Sequence, residues 1–140
     1  MKISLRGTPD FKFEAKSPDN GYTFSVGASK SIGGDESGFR PMQLLLASLG
    51  SCSGIDVVNI LKKSRVDFDS IDVDVEGDRV AGAVPAPFTH VKMVFRVHGR
   101  GVDRAKTEKA VSLSVEKYCS AVASLDPSMK VETSIEIVEV

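Results

Sequence analysis

A long apolar stretch between Arg40 and Lys63 constrains this chain of 140 residues more than any other segment. Pro41 is well placed for the first turn of a helix, and Lys62 and Lys63 suit a helix C-terminus. Between them, leucine, isoleucine and valine side chains point in nearly every direction around the axis. Because a helix that is apolar all round is a buried one, we predict a long buried central helix from Pro41 to Lys63.

Cys52 lies in the middle of this predicted helix. Its neighbours Gly50, Ser51, Ser53 and Gly54 are all small. A thiol that leucines could have enclosed therefore has room beside it for another group to approach. This contrast makes Cys52 the first candidate functional residue.

The composition favours one soluble domain spanning residues 1–140. The formal net charge is −1 and acidic and basic residues are mixed along the chain, which argues against nucleic acid or an anionic membrane as the main partner. The first residues do not resemble a signal peptide. The central helix approaches transmembrane length, but Gln43, Asp56 and Asn59 would be costly in lipid. We therefore expect a cytoplasmic protein.

Alternating apolar and polar residues predict strands on both sides of the central helix. Residues 3–15 and 22–28 predict a β-hairpin or meander. Residues 71–76 and 91–97 are joined by a loop too short for a crossover helix, so they should pair as an antiparallel hairpin with acids opposite bases. Asp103 is a good N-cap for a second helix to about Ser124. With a final strand over residues 131–137, the order β-β-β-α-β-β-α-β is an α+β pattern.

Metal binding and triad hydrolysis are both poorly supported by the residue pattern. Cys52, Cys119, His90 and His98 are possible zinc ligands, but none forms a close pair of the C-x-x-C kind. The two histidines fall on the polar face of a strand, where solvated histidines are common. The run from Gly50 to Gly54 mimics a nucleophile elbow, but an elbow follows a strand. We expect no structural metal site and no cofactor.

Thiol redox chemistry suits the two cysteines better. It requires one thiolate as nucleophile and a second thiol to trap the sulfenic acid that forms. Both cysteines are predicted on buried helices with apolar neighbours, which suits an organic substrate. Burial disfavours a thiolate and the middle of a helix gives no help from the dipole, so Cys52 needs a nearby cation, such as an arginine. By residue pattern alone, a redox pair and two inert core thiols remain equal alternatives.

Three segments carry a resemblance to a known family. The first is P-M-Q-L-L-L-A-S-L-G-S-C-S-G-I-D-V-V-N-I-L-K-K over residues 41–63, and the second is A-V-S-L-S-V-E-K-Y-C-S-A-V-A-S-L over residues 110–125. They resemble the first-cysteine and second-cysteine helices of the OsmC/Ohr family of osmotically inducible and organic hydroperoxide resistance proteins. F-T-H-V-K-M-V-F-R-V over residues 88–97 resembles the strand before the second. The nearest likeness is to the subgroup of predicted redox proteins.

This resemblance implies an OsmC-like α+β fold in an intertwined homodimer, with the long central helices packed together and the active sites at the subunit interface. It implies that Cys52 is the peroxidatic thiol, which attacks an organic hydroperoxide. Cys119 would be the resolving thiol, closing a disulfide that an external dithiol reduces. The implied role is oxidative-stress defence.

The resemblance also implies an arginine and a glutamate that activate the thiol and position the peroxide. Arg40 and Arg6 are the candidates for the arginine, since it is expected from the N-terminal strands or a loop. The glutamate position falls on Met42 in the pattern of the best-studied peroxidases and on Gln43 in the related subgroup, so neither holds a carboxylate. Gln43 can still hydrogen-bond. On a straight helix it lies about opposite Cys52, so it would need a kink or would serve the other subunit.

Two functions are therefore open at the level of sequence. The first is a thiol peroxidase that acts on organic hydroperoxides. The second is a non-catalytic relative that senses redox state or binds an apolar ligand. A third interpretation, a structural dimer with inert thiols, requires Cys52 and Cys119 to lie too far apart to bridge, with Cα atoms beyond about 7 Å.

Overall fold

The computed structural model describes every residue from Met1 to Val140, and these form two compact units, Met1–Leu45 and Leu46–Val140. Each unit contains one three-stranded sheet. The α+β class predicted from the sequence is confirmed. The single domain over residues 1–140 stays a prediction.

The first unit is an antiparallel meander in the order β1-β2-β3, as the alternation predicts. Its strands are β1 (Ser4–Thr8), β2 (Lys12–Lys16) and β3 (Thr23–Gly27). Ala15 and Val26 are buried. Most of its other apolar side chains are exposed in the single chain, namely Ile3, Leu5, Phe11, Phe13 and Phe24.

The central helix, α1 (Pro41–Lys63), begins and ends where the sequence predicts. At its start, the Gln43 side-chain oxygen accepts a hydrogen bond from the backbone N–H of Arg40 at 3.0 Å. A glutamine at the third helical position that reaches back to the N-cap is one half of a capping box, and it satisfies a donor that the helix itself leaves unpaired.

In the single chain, α1 is buried on one face only. Its buried residues, Leu49, Gly50, Ser53, Val57 and Leu61, follow the three- and four-residue spacing of a single stripe. Ile55, on another side, is 70% exposed. By length and composition α1 would also suffice to cross a membrane, with a mean hydropathy of 1.7 over its most apolar window, of which 28% is buried. The core helix of a soluble protein passes the same test.

The second unit places its sheet in the order β4-β5-β6. The predicted hairpin is confirmed, since β4 (Ser70–Arg79) and β5 (Phe88–His98) are antiparallel and pair Asp72 with Arg96 in register. The last strand, β6 (Lys130–Val138), runs parallel to β5. The apolar face of this sheet and the buried stripe of α1 form the core, whose largest fully buried side chains are Phe95, Leu49, Leu61 and Met93.

Two glycines bring α1 close to β4. A Cβ on Gly50 would lie 2.7 Å from Cγ2 of Val75, and one on Gly54 would lie 3.5 Å from Cγ2 of Val73. The sheet therefore fills the space beside Gly50, whereas Gly54 leaves room for a methyl group. The room expected among the small neighbours of Cys52 is thus absent at Gly50, because sequence alone does not show which side of a helix faces its sheet.

The second helical region is interrupted at the second cysteine. Asp103 caps α2 (Arg104–Leu113) as predicted, accepting a hydrogen bond from the Lys106 N–H at 3.0 Å. A π-helical turn (Ser114–Tyr118) follows, then Cys119 in extended conformation (φ −69°, ψ 103°), then a short helix α3 (Ser120–Ala123). The predicted continuous helix to Ser124 is wrong. Apolar periodicity does not reveal a π turn, which inserts one residue and turns the side chains that follow it.

Candidate thiol redox site

Two thiols and a carboxylate of the second unit lie close together, although Cys119 is remote in sequence from Cys52 and Asp56. The sulfurs of Cys52 and Cys119 and a carboxylate oxygen of Asp56 all lie within 4.8 Å of one another. Both cysteines are free thiols. A disulfide bond is about 2.05 Å long, so side-chain rotation and a small backbone shift would bring the sulfurs together. The inert-thiol interpretation, which requires Cα atoms beyond about 7 Å, stays a prediction.

Local structure explains how the three groups meet. Cys52 and Asp56 are four residues apart on α1, so both side chains lie on one face of the helix. Cys119 lies at the break between the π turn and α3, where its extended backbone directs the side chain towards α1. Single-turn π segments inside helices are frequent at functional sites. The interruption is therefore a structural feature of the site.

Cys119 is held by two hydrogen bonds to its sulfur. The Ser53 hydroxyl donates to it at 3.2 Å, and the Val122 backbone N–H donates at 3.5 Å. Burial raises the pKa of Cys119, and this outweighs the lowering by the two donors; the neighbouring Cys52 raises it as well. With only 3% of its surface exposed, Cys119 is a buried thiol that keeps its proton more tightly than usual. Cys52, by contrast, is only half-buried.

Asp56 is a carboxylate that the sequence analysis did not assign to the site. The hydroxyl of Ser114, in the π turn, donates to its Oδ2 at 3.1 Å and also lies 3.3 Å from the Ser53 carbonyl oxygen. Asp56 takes part in none of the ion pairs of the chain. A half-buried carboxylate near two thiols can accept a thiol proton. The sequence signal that could have found it is the Cys-x-x-x-Asp spacing on a predicted helix.

A cleft of about 530 Å³ opens beside Asp56. Cys52 is not part of its wall, but the cleft begins one helical turn further along α1. Its wall combines apolar side chains with one lysine: Asp56, Asn59, Ile60, Lys63, Ser64, Leu113 and Tyr118. A mixed surface of this kind suits a small organic molecule with a polar end.

The other predicted site residues lie in the first unit. At the start of α1, the Gln43 side chain accepts a hydrogen bond from the backbone N–H of Arg40. Arg6 lies in β1 opposite Glu14 and lines a separate cleft of about 490 Å³ formed by this unit alone. The roles of Gln43, Arg40 and Arg6 at the thiol stay predictions.

The histidines are engaged elsewhere, on the polar face of the second sheet. The two ring nitrogens of His90 lie 3.2 Å from Asp78 and 3.1 Å from Glu132. His98 lies 2.8 Å from Asp72. Since α1 packs on the opposite, apolar face, neither histidine belongs to the thiol site.

Comparison with known proteins identifies the class to which this fold and this thiol pair belong. The chain matches the OsmC-like protein family over residues 33–134, and it is a member of that family. It is 41% identical over 98 residues to Protein YhfA of Escherichia coli K12, covering 70% of this chain and 72% of that protein. The resemblance predicted from the two cysteine segments is confirmed.

Solved structures agree over nearly the whole chain. A hypothetical protein from Aquifex aeolicus VF5 is similar with a TM-score of 0.85 and 32% identity, covering 99% of this chain and 96% of that one. The organic hydroperoxide resistance protein OsmC of Legionella pneumophila, a predicted redox protein, has a TM-score of 0.73 at 15% identity, covering 96% of this chain and 95% of that one. At that identity the second likeness concerns the fold alone.

Proposed function

We propose that this protein is a thiol peroxidase that reduces organic hydroperoxides at the expense of an external dithiol. The observation that carries the proposal is the convergence of two free thiols and a carboxylate within 4.8 Å. The family membership and the fold shared with an organic hydroperoxide resistance protein support it.

In the first step, the sulfur of Cys52 attacks the terminal oxygen of the hydroperoxide. A sulfur–oxygen bond forms and the oxygen–oxygen bond breaks, so Cys52 becomes a sulfenic acid and the substrate leaves as an alcohol. The thiol proton of Cys52 must reach the departing alkoxide. In this proposal Asp56 accepts that proton and passes it on; its carboxylate lies within 4.8 Å of the sulfur, is held by Ser114, and would act through one water or after a side-chain rotation.

In the second step, Cys119 attacks the sulfenic sulfur of Cys52 and water leaves, which yields a disulfide. The external dithiol then reduces this disulfide by thiol exchange, so each turnover converts one hydroperoxide and one dithiol into alcohol, water and oxidised dithiol. The assignment of Cys52 as the first nucleophile is supported by its greater exposure. Cys119 is buried and its pKa is raised by that burial, which suits a thiol that acts second.

The substrate class follows from the cleft next to Asp56. Ile60, Leu113 and Tyr118 offer apolar surface to the organic part of a hydroperoxide, and Lys63 offers a cation to a polar end. An activating arginine, Arg6 or Arg40, is part of the proposal. We place the reaction in the cytoplasm, as the composition suggests.

A homodimer is proposed because one chain leaves much apolar surface uncovered. Ile55 on α1 is 70% exposed and Leu5 on β1 is 55% exposed. Exposed apolar surface beyond scattered single residues marks interaction sites, and a second copy that buries α1 would explain why this helix is apolar all round.

The test is consumption of an alkyl hydroperoxide with a dithiol reductant. We expect turnover by the wild type and none by Cys52→Ser. Cys119→Ser should still form a sulfenic acid in a single turnover but should form no internal disulfide. Ser51→Ala is the matched control, because Ser51 is exposed and bonds only to carbonyls of its own helix. Equal rates for the wild type and Cys52→Ser would refute the proposal.

A redox sensor is the second candidate, favoured by the absence of a carboxylate at Met42 and Gln43. It would form the same disulfide with one equivalent of peroxide without multiple turnovers. Steady consumption of many equivalents would exclude it.

A further inference from the structure

We propose that Cys52, Cys119 and Asp56 form a binding site for a thiophilic divalent cation, zinc above all, which holds both thiols reduced and blocks their reaction with peroxide. The binding part of this inference stands on geometry alone. The inhibitory part rests on the proposed peroxidase function.

The spacing of the three donor atoms fits zinc. In tetrahedral sites zinc–sulfur bonds are about 2.3 Å and zinc–oxygen bonds about 2.0–2.2 Å, so ligand atoms lie roughly 3.5–3.8 Å apart. Here the two sulfurs and the carboxylate oxygen are all within 4.8 Å of one another. Their separations need to shorten by about 1.3 Å at most to reach that geometry.

The surroundings of the donors also suit a metal. Metal ligands are held in place by hydrogen bonds from neighbouring groups, and these donors raise the affinity of the site. Cys119 already accepts from the Ser53 hydroxyl and the Val122 N–H, and Asp56 accepts from the Ser114 hydroxyl. The Ser53 and Val122 donors lower the pKa of Cys119 and so favour its thiolate. They would remain in place when the thiolates and the carboxylate face a cation.

The charge balance points the same way. Asp56 has no cationic partner among the ion pairs of the chain. With both thiols deprotonated the three groups would carry three negative charges in a partly buried place. A divalent cation compensates two of these, and its binding releases the two thiol protons to solvent. Hence affinity should rise with pH.

The donor set selects the class of ion and leaves one position open. Two thiolates favour zinc over magnesium and calcium, which prefer oxygen ligands. Three protein ligands leave the fourth tetrahedral position to water or a small thiol. This site differs from the structural zinc sites with closely spaced cysteine pairs that the sequence argues against. Cys52 and Asp56 come from one helical turn of α1, and Cys119 lies 67 residues after Cys52.

The functional consequence concerns both thiols at once. A thiolate bound to zinc donates one lone pair to the metal and is a weaker nucleophile than a free thiolate, and zinc also holds the two sulfurs apart, so Cys52 and Cys119 would neither attack peroxide readily nor form a disulfide. Peroxide consumption should stop when zinc is bound and resume when a chelator removes it. The ion would thereby also protect the pair from further oxidation.

The experiment measures zinc binding by the reduced full-length protein in competition with a chromophoric chelator. We expect one zinc ion per chain, with magnesium unable to compete. Cys52→Ser, Cys119→Ser and Asp56→Asn should each weaken binding about tenfold or more. Asp69→Asn, at an exposed acid of the same unit whose side chain makes no ion pair, should bind as the wild type does. Cobalt(II) should give the intense sulfur-to-metal absorption of thiolate ligation, and Cys119→Ser should lose most of it.

The outcomes separate this inference from the peroxidase proposal. Binding that survives loss of Cys119, or that Asp69→Asn weakens equally, would reveal an adventitious ion only and would overturn the metal site. Ser114→Ala provides a further check, since it leaves all three ligands in place and should weaken binding less than Asp56→Asn. Specific zinc binding without peroxide turnover would support the metal site and refute the peroxidase proposal. Peroxide turnover that saturating zinc leaves unchanged would refute the proposed inhibition by zinc.

Discussion

Two glycines one turn apart on α1 should respond to the same substitution with opposite sign. Replacing a helical glycine by alanine stabilises a helix by about 0.8–1.0 kcal/mol, because alanine loses less backbone freedom on folding. The new methyl group must also fit. At Gly54 its nearest neighbour would be Val73 Cγ2 at 3.5 Å, an ordinary contact. Gly54→Ala should therefore raise the free energy of unfolding by up to about 1 kcal/mol.

At Gly50 the same methyl group would lie only 2.7 Å from Val75 Cγ2. Valine is stiff about its first side-chain torsion, so α1 or β4 must shift to accommodate it. Overpacking of this kind costs about 1–3 kcal/mol. After subtracting the gain in helix propensity, Gly50→Ala should lower the free energy of unfolding by roughly 0–2 kcal/mol. The two variants should thus differ from each other by about 1–3 kcal/mol.

Urea-induced unfolding of the reduced protein, followed by circular dichroism, measures this difference. Protein concentration must be equal for all variants, since association raises apparent stability. If Gly50→Ala proves as stable as Gly54→Ala, the close packing of α1 on β4 at Gly50 is wrong. The double variant should equal the sum of the two single ones only if α1 does not shift on the sheet.

Two further predictions concern the thiol site. Asp56→Asn should slow hydroperoxide consumption about 100-fold, at the low end of what a positioned proton acceptor contributes; an unchanged rate in that variant, with Asp69→Asn as control, would exclude Asp56 from proton transfer. Burial raises the pKa of Cys119 above its usual 9.0, so the folded state holds this proton more tightly than the unfolded chain. The stability of the reduced protein should therefore be fully present below pH 9.0 and should fall as the pH rises above it. Urea titrations across that range, compared with Cys119→Ser, measure this slope, and an equal slope in that variant would contradict the assignment.

Elements whose signals are local were predicted well from the sequence. Pro41 predicts the start of α1 correctly, and Lys62 and Lys63 predict its end. Proline has the backbone torsion that the first helical turn requires, and cations in the last turn interact favourably with the helix dipole. Asp103 was identified as an N-cap for the same kind of reason. The β4–β5 hairpin followed from alternation and a short loop, and its cross-strand pair Asp72–Arg96 confirms the register logic.

Features that depend on contacts between distant parts of the chain were missed. The break before Cys119 depends on the π turn, where the Ser114 hydroxyl binds Asp56 and lies near the Ser53 carbonyl oxygen, 58 and 61 residues away. No apolar pattern in residues 104–124 contains that information. For the same reason the sequence predicts open space beside Gly50, which Val75 fills in the folded chain.

The sequence by itself determined which elements form, that the chain belongs to the OsmC-like family, and that Cys52 and Cys119 are its candidate redox residues. Helix caps, alternation and family motifs are all properties of short segments, so they can be recognised without coordinates. Only the tertiary structure decided that the two sulfurs lie within 4.8 Å of each other and that Asp56 lies with them. Those distances depend on how α1 packs against the interrupted helix between α2 and α3, and packing between remote segments is not encoded in the pattern of either one alone.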